Sequence, residues 1–400
     1  MSDFHQLLTS DKVPLDKLRQ LSYKGLGSNH RLRSLVWSLL LGSITPDSSK
    51  WVQHVRQRRA IYCEYVQDFW KEDGPQEESE CDHPLSSCTN SSYASFFEDR
   101  RLLYEICKDL KRTHTSHPMF TLSSHLTSND NTPSNTRTSP KSMCTKTATL
   151  TETSSTSDGA VDSLLSLIKS SPVHCVLLRV LFLFAKLNPA VKYIQGMNEL
   201  LSPLFYTFSC AREEEDGVAE EEFYNGGEFL KHLNVAVTSV EADVFFCFTQ
   251  LMSRQRDNFI EKMDHDSKHG IRSRMLEIHS IISRFDPDLH CHFNNHNIDP
   301  QYFALRWVSV LLSQDFELND CIRIWDSLFS YLDGERNFIL YICSSMILEK
   351  KNELINADFA NLMAILQHYQ TDNLEIVLDV ARKLYIKDGE LLARERNRFR

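Results

Sequence analysis

The sequence predicts an all-α protein of two helical lobes, and three observations carry that expectation. Apolar residues recur at helical spacing from Leu32 almost to the last residue, no alternating strand pattern of useful length interrupts them, and the chain holds only 12 glycines, with no glycine-rich loop. Its 400 residues, 42% of them hydrophobic, exceed the ~250–300 that a single core usually organises. Two lobes are therefore expected, set at residues 1–250 and 251–400. The helical segments differ in length and signature without a fixed period, which favours globular lobes over a solenoid.

The elements follow in chain order. Ser28 or Asn29 is placed to cap a helix in which Leu32, Leu35, Val36, Leu39 and Leu40 share a face, and Gly42 is placed to close it. A second helix, over about residues 50–71, carries Trp51, Val55, Tyr62 and Val66 among many basic residues and ends in the breaker-rich DGPQEESECD. A third, near residues 98–112, sets Leu103, Ile106, Cys107 and Leu110 on one stripe.

Residues from about 121 to 162 form a Ser/Thr-rich tract with almost no periodic apolar positions. Such a segment cannot offset its own ordering entropy, so it is expected to be a disordered insertion. The apolar runs VLFLFAKL (180–187) and LLSPLFYTF (200–208) then flank YIQGMNE (193–199). An acidic loop at about 211–228 follows, and helical patterns continue through VEADVFFCFTQLM, YFALRWVSVLLSQDF, DCIRIWDSLFSYL and NLEIVLDVARKLY.

Composition narrows the function classes. A formal charge of -10 argues against nucleic acid as the main partner, since a polyanion meets net repulsion. The first residues, MSDFHQLLTSDKVPLDKL, lack the apolar core of a secretory signal, and the run CVLLRVLFLFAKL (175–187) is interrupted by Arg179 and falls short of the ~20 apolar residues of a membrane span. A cytoplasmic protein without a transmembrane segment is the expectation. Eleven cysteines, an odd number scattered along the chain, fit reduced thiols. Neither Cys81-x-His83-x4-Cys88 nor the group His290, Cys291, His292 and His296 has the paired spacing of a structural zinc site, so no metal is expected.

The chain has no GxxxxGK[ST], GxSxG or HExxH and no credible Cys/His pair with a third partner, which argues against a self-contained hydrolase or kinase. Three polar groups in helical context remain. In the first, Arg112 lies opposite the Leu103/Ile106/Leu110 stripe with Asp109 at i−3 to hold its guanidinium; taken alone, this reads as a surface ion pair on a solvated face. In the second, Gln195 interrupts an apolar region where an unbonded amide would be costly. Gly196 there suggests a backbone turn and Asn198 a cap for the helix carrying Leu200, Leu201, Leu204 and Phe205, so the motif reads locally as structural. The third group, Phe303 to Trp307 with Ile322 to Phe329, reads as core aromatics with Arg and Asp tying helices together.

Together these groups resemble a known family, the TBC-domain proteins that activate GTP hydrolysis by Rab GTPases. The resemblance runs through LRSLVWSLLLG (32–42), IxxDxxR as Ile106, Asp109 and Arg112 followed by Thr113, YxQGMN as Tyr193 to Asn198, EADVFFCF (241–248), and RWxxxLLSQxF (306–316) leading to IRIWDSLF (322–329), in the family's order. It implies a two-lobed all-α domain with the activity in the first lobe. It also implies that Arg112 is an arginine finger and Gln195 a glutamine finger, both inserted into the nucleotide site of a GTP-bound Rab.

On that resemblance Asp109 holds Arg112 extended, Tyr193 and Asn198 brace the Gln195 loop with Gly196 as its turn, and Arg33, Trp37, Arg306, Trp325 and Asp326 stay structural. GTP and Mg²⁺ belong to the partner, and the chain needs no cofactor of its own. A monomer is expected that reaches endomembranes or the plasma membrane through the Rab and regulates vesicle trafficking; a Rab-binding adaptor without catalysis is the alternative. Gln195 lies 83 positions after Arg112, a separation longer than the family's usual one, and the Ser/Thr tract accounts for the excess.

Overall fold

The computed structural model describes residues 2–70, 92–122, 158–213, 238–255, 270–331 and 337–398. All regular structure among them is helical apart from one isolated antiparallel bridge between Lys12 and Asp47. Most of the Ser/Thr tract and of the acidic loop lies outside the described residues, as do Cys81, His83 and Cys88. Beyond residues 121 and 122, the described parts of the two insertions are helical, so the expected limits run into helices at residues 158–162 and 211–213. Helices Asp158–Lys169 and Met197–Glu213 take in residues 158–162 and 211–213, because Val161, Leu164 and Leu165 and, at the other end, Phe208 and Ala211 supply apolar faces to pack.

Among the described residues the first lobe contains α1 (Ser2–Leu8), α2 (Leu15–Ser22), α3 (His30–Leu41), α4 (Trp51–Phe69), α5 (Ser92–Leu110), α6 (Asp158–Lys169) and α7 (Pro172–Leu187). To these are added α8 (Met197–Glu213) and α9 (Ser239–Gln255). The start of α3 is set by Asn29, whose side chain accepts from the Leu32 amide at 2.8 Å, and its end by Gly42 in the left-handed region at φ +79°. Helix α7 is buried from Val176 through Ala185, and α5, α6, α4, α8 and α9 all pack against it. Arg179, the charge inside that run, is matched. Its guanidinium bonds Glu241 of α9 at 2.5 and 2.6 Å, and the Tyr62 hydroxyl of α4 donates to the same carboxylate at 2.6 Å. A buried carboxylate thus ties three helices, its charge compensated on the spot.

The second lobe holds α10 (Ile271–Phe285), α11 (Pro287–Asn295), α12 (Ala304–Ser309), α13 (Leu318–Phe329), α14 (Phe338–Glu349), α15 (Lys351–Leu354), α16 (Phe359–Gln367) and α17 (Leu374–Arg398). Helix α14 is buried on nearly every side between α10 and α17. The expected break after residue 250 falls inside the continuous helix α9, and α2 and α3 pack on α13, so one apolar core runs through both lobes.

The joint between α3 and α13 is polar at its centre. The fully buried Asp326 carboxylate accepts from Arg33 Nε at 3.1 Å, Arg33 Nη2 at 3.1 Å, Trp37 Nε1 at 2.9 Å and the Leu26 amide at 3.0 Å. Trp325, beside it, donates to the Leu311 carbonyl at 3.0 Å. No single helix among the described residues is long and apolar enough to cross a membrane.

Candidate functional site

The last full α-helical bond of α5 runs from the Lys111 amide to Cys107; the next two amides reach back only three residues, Arg112 to Asp109 at 3.1 Å and Thr113 to Leu110 at 3.2 Å. That tightening ends the helix at Leu110, earlier than the expected 112, and throws Arg112 off the helix face. Its side chain is 56% exposed while that of Asp109 is only 7% exposed. A buried carboxylate therefore holds one edge of the guanidinium of a side chain that otherwise stands largely in solvent: Arg112 Nη2 donates to Asp109 Oδ1 at 2.5 Å.

The other oxygen of Asp109 is taken from the second motif. The Tyr193 hydroxyl donates to Asp109 Oδ2 at 2.7 Å. Burial and the neighbouring carboxylate push the Tyr193 pKa well above its ordinary value, which keeps the phenol protonated as the donor. Two residues on, Gln195 is exposed. Arg112 and Gln195, far apart in sequence, line one cleft of about 310 Å³ together with Glu105, Lys108, Asp109 and Tyr193.

Gly196 makes the turn at φ +102°, a conformation that strains any residue with a Cβ; a Cβ there would also stand 3.0 Å from Val310 Cγ1. Helix α8 starts immediately afterwards, at Met197. The expected cap role for Asn198 is therefore corrected: the residue sits inside the first turn of the helix, where its backbone cannot adopt the cap conformation. Its amide is used tertiarily instead. Nδ2 donates to Thr113 Oγ1 at 2.8 Å and to Glu199 Oε1 at 3.0 Å. Thr113 Oγ1 in turn donates to the Asp109 carbonyl at 3.0 Å. The Arg112 turn and the Gln195 loop are thus joined twice, through Asp109–Tyr193 and through Thr113–Asn198.

Two layers behind these residues escaped the sequence reading. Glu199 is buried, and burial pushes its pKa up to about 7 against hydrogen bonds from Gln314 and Asn198. The His114 Nε2 stands 3.6 Å from Glu199 Oε2, and burial, with His117 nearby, pushes the imidazole down to about 4. The other layer is the segment Val310 to Gln314, where Leu311 and Leu312 take left-handed conformations at φ +51° and +65°. This turn lays Val310 against Gly196 and Gln314 against Glu199, so the RWxxxLLSQ run also backs the Gln195 loop. A glutamate directly after YIQGMN was a visible signal for Glu199; nothing in the local pattern marks Val310.

Arg306 and Trp307 both bond Asp315 within the second lobe, at 2.5 and 3.1 Å, which fits their structural reading. Among the described residues no group of three His, Cys, Asp or Glu is arranged to hold a metal ion. His292 Nε2 lies 3.1 Å from the Ala357 carbonyl and His296 Nδ1 3.0 Å from the His292 carbonyl, both within hydrogen-bond distance.

Comparison with known proteins bears on the family and the fold. Residues 153–355 match the family model of the Rab-GTPase-TBC domain, a span that includes Gln195 and Asp326 but not Arg112. TBC1 domain family member 13 of Homo sapiens is 31% identical over 96% of this chain and 97% of its own length, and the Mus musculus protein of the same name is 31% identical over 96% and 97%. Among solved structures, the crystal structure of the Ypt/Rab-GAP domain of Gyp1p superposes with a TM-score of 0.66 at 21% identity, covering 98% of each chain, a likeness of fold.

Proposed function

This chain belongs to the Rab-GTPase-TBC domain family, and from that premise we propose that it is a GTPase-activating protein for Rab-family small GTPases, supplying Arg112 and Gln195 in trans. The observation that carries the proposal is the shared cleft: an exposed, carboxylate-held guanidinium and an exposed carboxamide face one opening although 83 positions separate them.

The chemistry needs these two groups. As the γ-phosphoryl bond to the leaving oxygen lengthens, negative charge spreads over the phosphate oxygens, and a planar guanidinium meets it with several N–H donors. The Gln195 carboxamide accepts a hydrogen bond from the attacking water through its oxygen while its NH₂ donates to the phosphate. The GTP and its Mg²⁺ are the partner's. Arg112 contributes about 10³–10⁵ in rate, and that contribution comes from contacts made in the transition state, since uniform binding accelerates nothing. Asp109 keeps one Nη engaged and the remaining donors free, which lowers the ordering cost of docking.

In this reading the protein works in the cytoplasm and at the membrane surface where its prenylated partner resides, and it limits the lifetime of the GTP state that drives vesicle trafficking. Single-turnover GTP hydrolysis across a panel of purified Rab proteins tests it. Acceleration by the wild type that is lost in Arg112→Ala and in Gln195→Ala supports the proposal. Binding of a GTP-loaded Rab without acceleration of any would replace it with the adaptor reading.

A further inference from the structure

A second cavity, of about 590 Å³, lies between α3, α4, the last turns of α8 and the first turns of α9. Its nearest α8 residue, Phe208, is eleven positions from the start of the helix at Met197, about 16 Å along the axis, so the cavity is separate from the Arg112/Gln195 cleft. Its size falls within the ~300–1,000 Å³ of small-molecule sites. The walls are apolar, formed by Leu32, Leu35, Val55, Phe208, Val240 and Phe246.

The charge is one-sided. Asp243 is an acidic lining residue, and Arg59 engages it with two bonds, Nε to Oδ1 at 3.0 Å and Nη2 to Oδ2 at 2.5 Å. Arg212 donates to the Ser239 hydroxyl. Arg31, which also lines the cavity, is engaged as well, and Arg58 is the remaining guanidinium. Half-buried, it lies over the Phe246 ring at 4.9 Å and has no carboxylate of its own among the described residues. Burial lowers its pKa from the ordinary guanidinium value, with Cys247 and Asp243 opposing the effect. A desolvated cation beside apolar walls is stabilised by an anion that brings an apolar body with it.

We propose that this cavity binds a single-chain carboxylate amphiphile, its alkyl tail against Leu35, Phe208, Val240 and Phe246 and its carboxylate on Arg58. Four arginines line the cavity against one aspartate, which favours an anion, and a planar carboxylate fits the Arg58 guanidinium fork with two bonds. The site does not depend on the Rab-directed reading, because neither finger contributes to it.

Isothermal titration of the full chain with dodecanoate, below its micellar concentration, is the test, with dodecanol, acetate and dodecyl phosphate alongside. Saturable one-to-one binding of dodecanoate is expected, with dodecanol weaker and acetate showing no saturation. Arg58→Met should weaken dodecanoate by about tenfold and leave dodecanol unchanged, the size of one charge-assisted contact. Val240→Phe, which fills the cavity and keeps Arg58, should also abolish binding; the melting temperature of each variant verifies that it is folded. Failure of dodecanoate to saturate overturns the proposal, as does equal affinity in folded Arg58→Met. Tighter binding of dodecyl phosphate than of dodecanoate overturns the carboxylate assignment.

Discussion

Tyr193 donates its phenolic proton to Asp109 Oδ2 at 2.7 Å while Arg112 holds Oδ1, so one buried carboxylate serves two segments of chain that lie 84 positions apart. The consequence is mechanical: the loop that presents the glutamine and the turn that presents the arginine cannot shift independently. Tyr193→Phe keeps the ring packing and removes only the hydroxyl. Its expected cost is about 1 kcal/mol of stability by chemical denaturation. The single-turnover rate should fall severalfold while affinity for GTP-loaded Rab is retained, since the fingers lose alignment and not contact area.

Gly196→Ala should be more damaging than an ordinary turn substitution. The φ of +102° alone costs an L-residue about 1–2 kcal/mol, and the new Cβ meets Val310 Cγ1 at 3.0 Å. Relief of that contact swings the Gln195 loop outward. Thermal melts should show the stability loss, and stimulated hydrolysis should drop further than the melts alone explain.

Glu199 and His114 give opposite pH dependences. The folded pKa of Glu199 is raised from 4.5 to about 7, so its contribution to stability is present below 4.5 and is lost as pH rises through 7. That of His114 is lowered from 6.5 to about 4, so its contribution is present above 6.5 and is lost as pH falls through 4. Glu199→Gln keeps a neutral side chain at every pH and removes the first loss. The difference in melting temperature between Glu199→Gln and wild type should therefore become more positive from about pH 5 to about pH 8, a change worth up to about 3 kcal/mol. A difference independent of pH would contradict the buried-acid assignment.

Asp326→Asn tests the lobe joint. Four donors converge on that carboxylate, and the amide leaves the Arg33 guanidinium buried without a counter-charge. A loss of about 3–5 kcal/mol is expected, read as a lower denaturant midpoint. Because the joint does not touch the cleft, the rate per folded molecule should stay close to wild type.

Much of this architecture was legible in the residues, for identifiable reasons. Asn29 and Gly42 carry their cap chemistry locally, so the limits of α3 were readable. Asp326 was readable as a helix tie because buried charges occur in pairs, whereas its partner Arg33 was read only as structural. Arg112 and Gln195 were not readable from local pattern, which assigned a surface ion pair and a structural turn; only their order within a family's motifs brought them forward, and the fold then places them on one cleft. Asn198 was misread because a polar residue beside a glycine looks like a cap, whereas its partner, Thr113, lies 85 positions away. Val310 and the left-handed Leu311 and Leu312 carry no local mark at all, since their conformation is imposed by the Trp325 bond and the packing beneath the Gln195 loop.

The central claim is that the activator brings its own glutamine as well as its arginine. The most direct measurement uses a substrate Rab whose own water-orienting glutamine has been replaced by alanine, with single-turnover hydrolysis followed at saturating activator. If Gln195 positions the water, the wild-type protein should still accelerate this Rab by a factor within the ~10³–10⁵ of a supplied arginine finger, and both Gln195→Ala and Arg112→Ala should abolish the effect. Acceleration that vanishes with the Rab glutamine, or that survives in Gln195→Ala, would contradict the account.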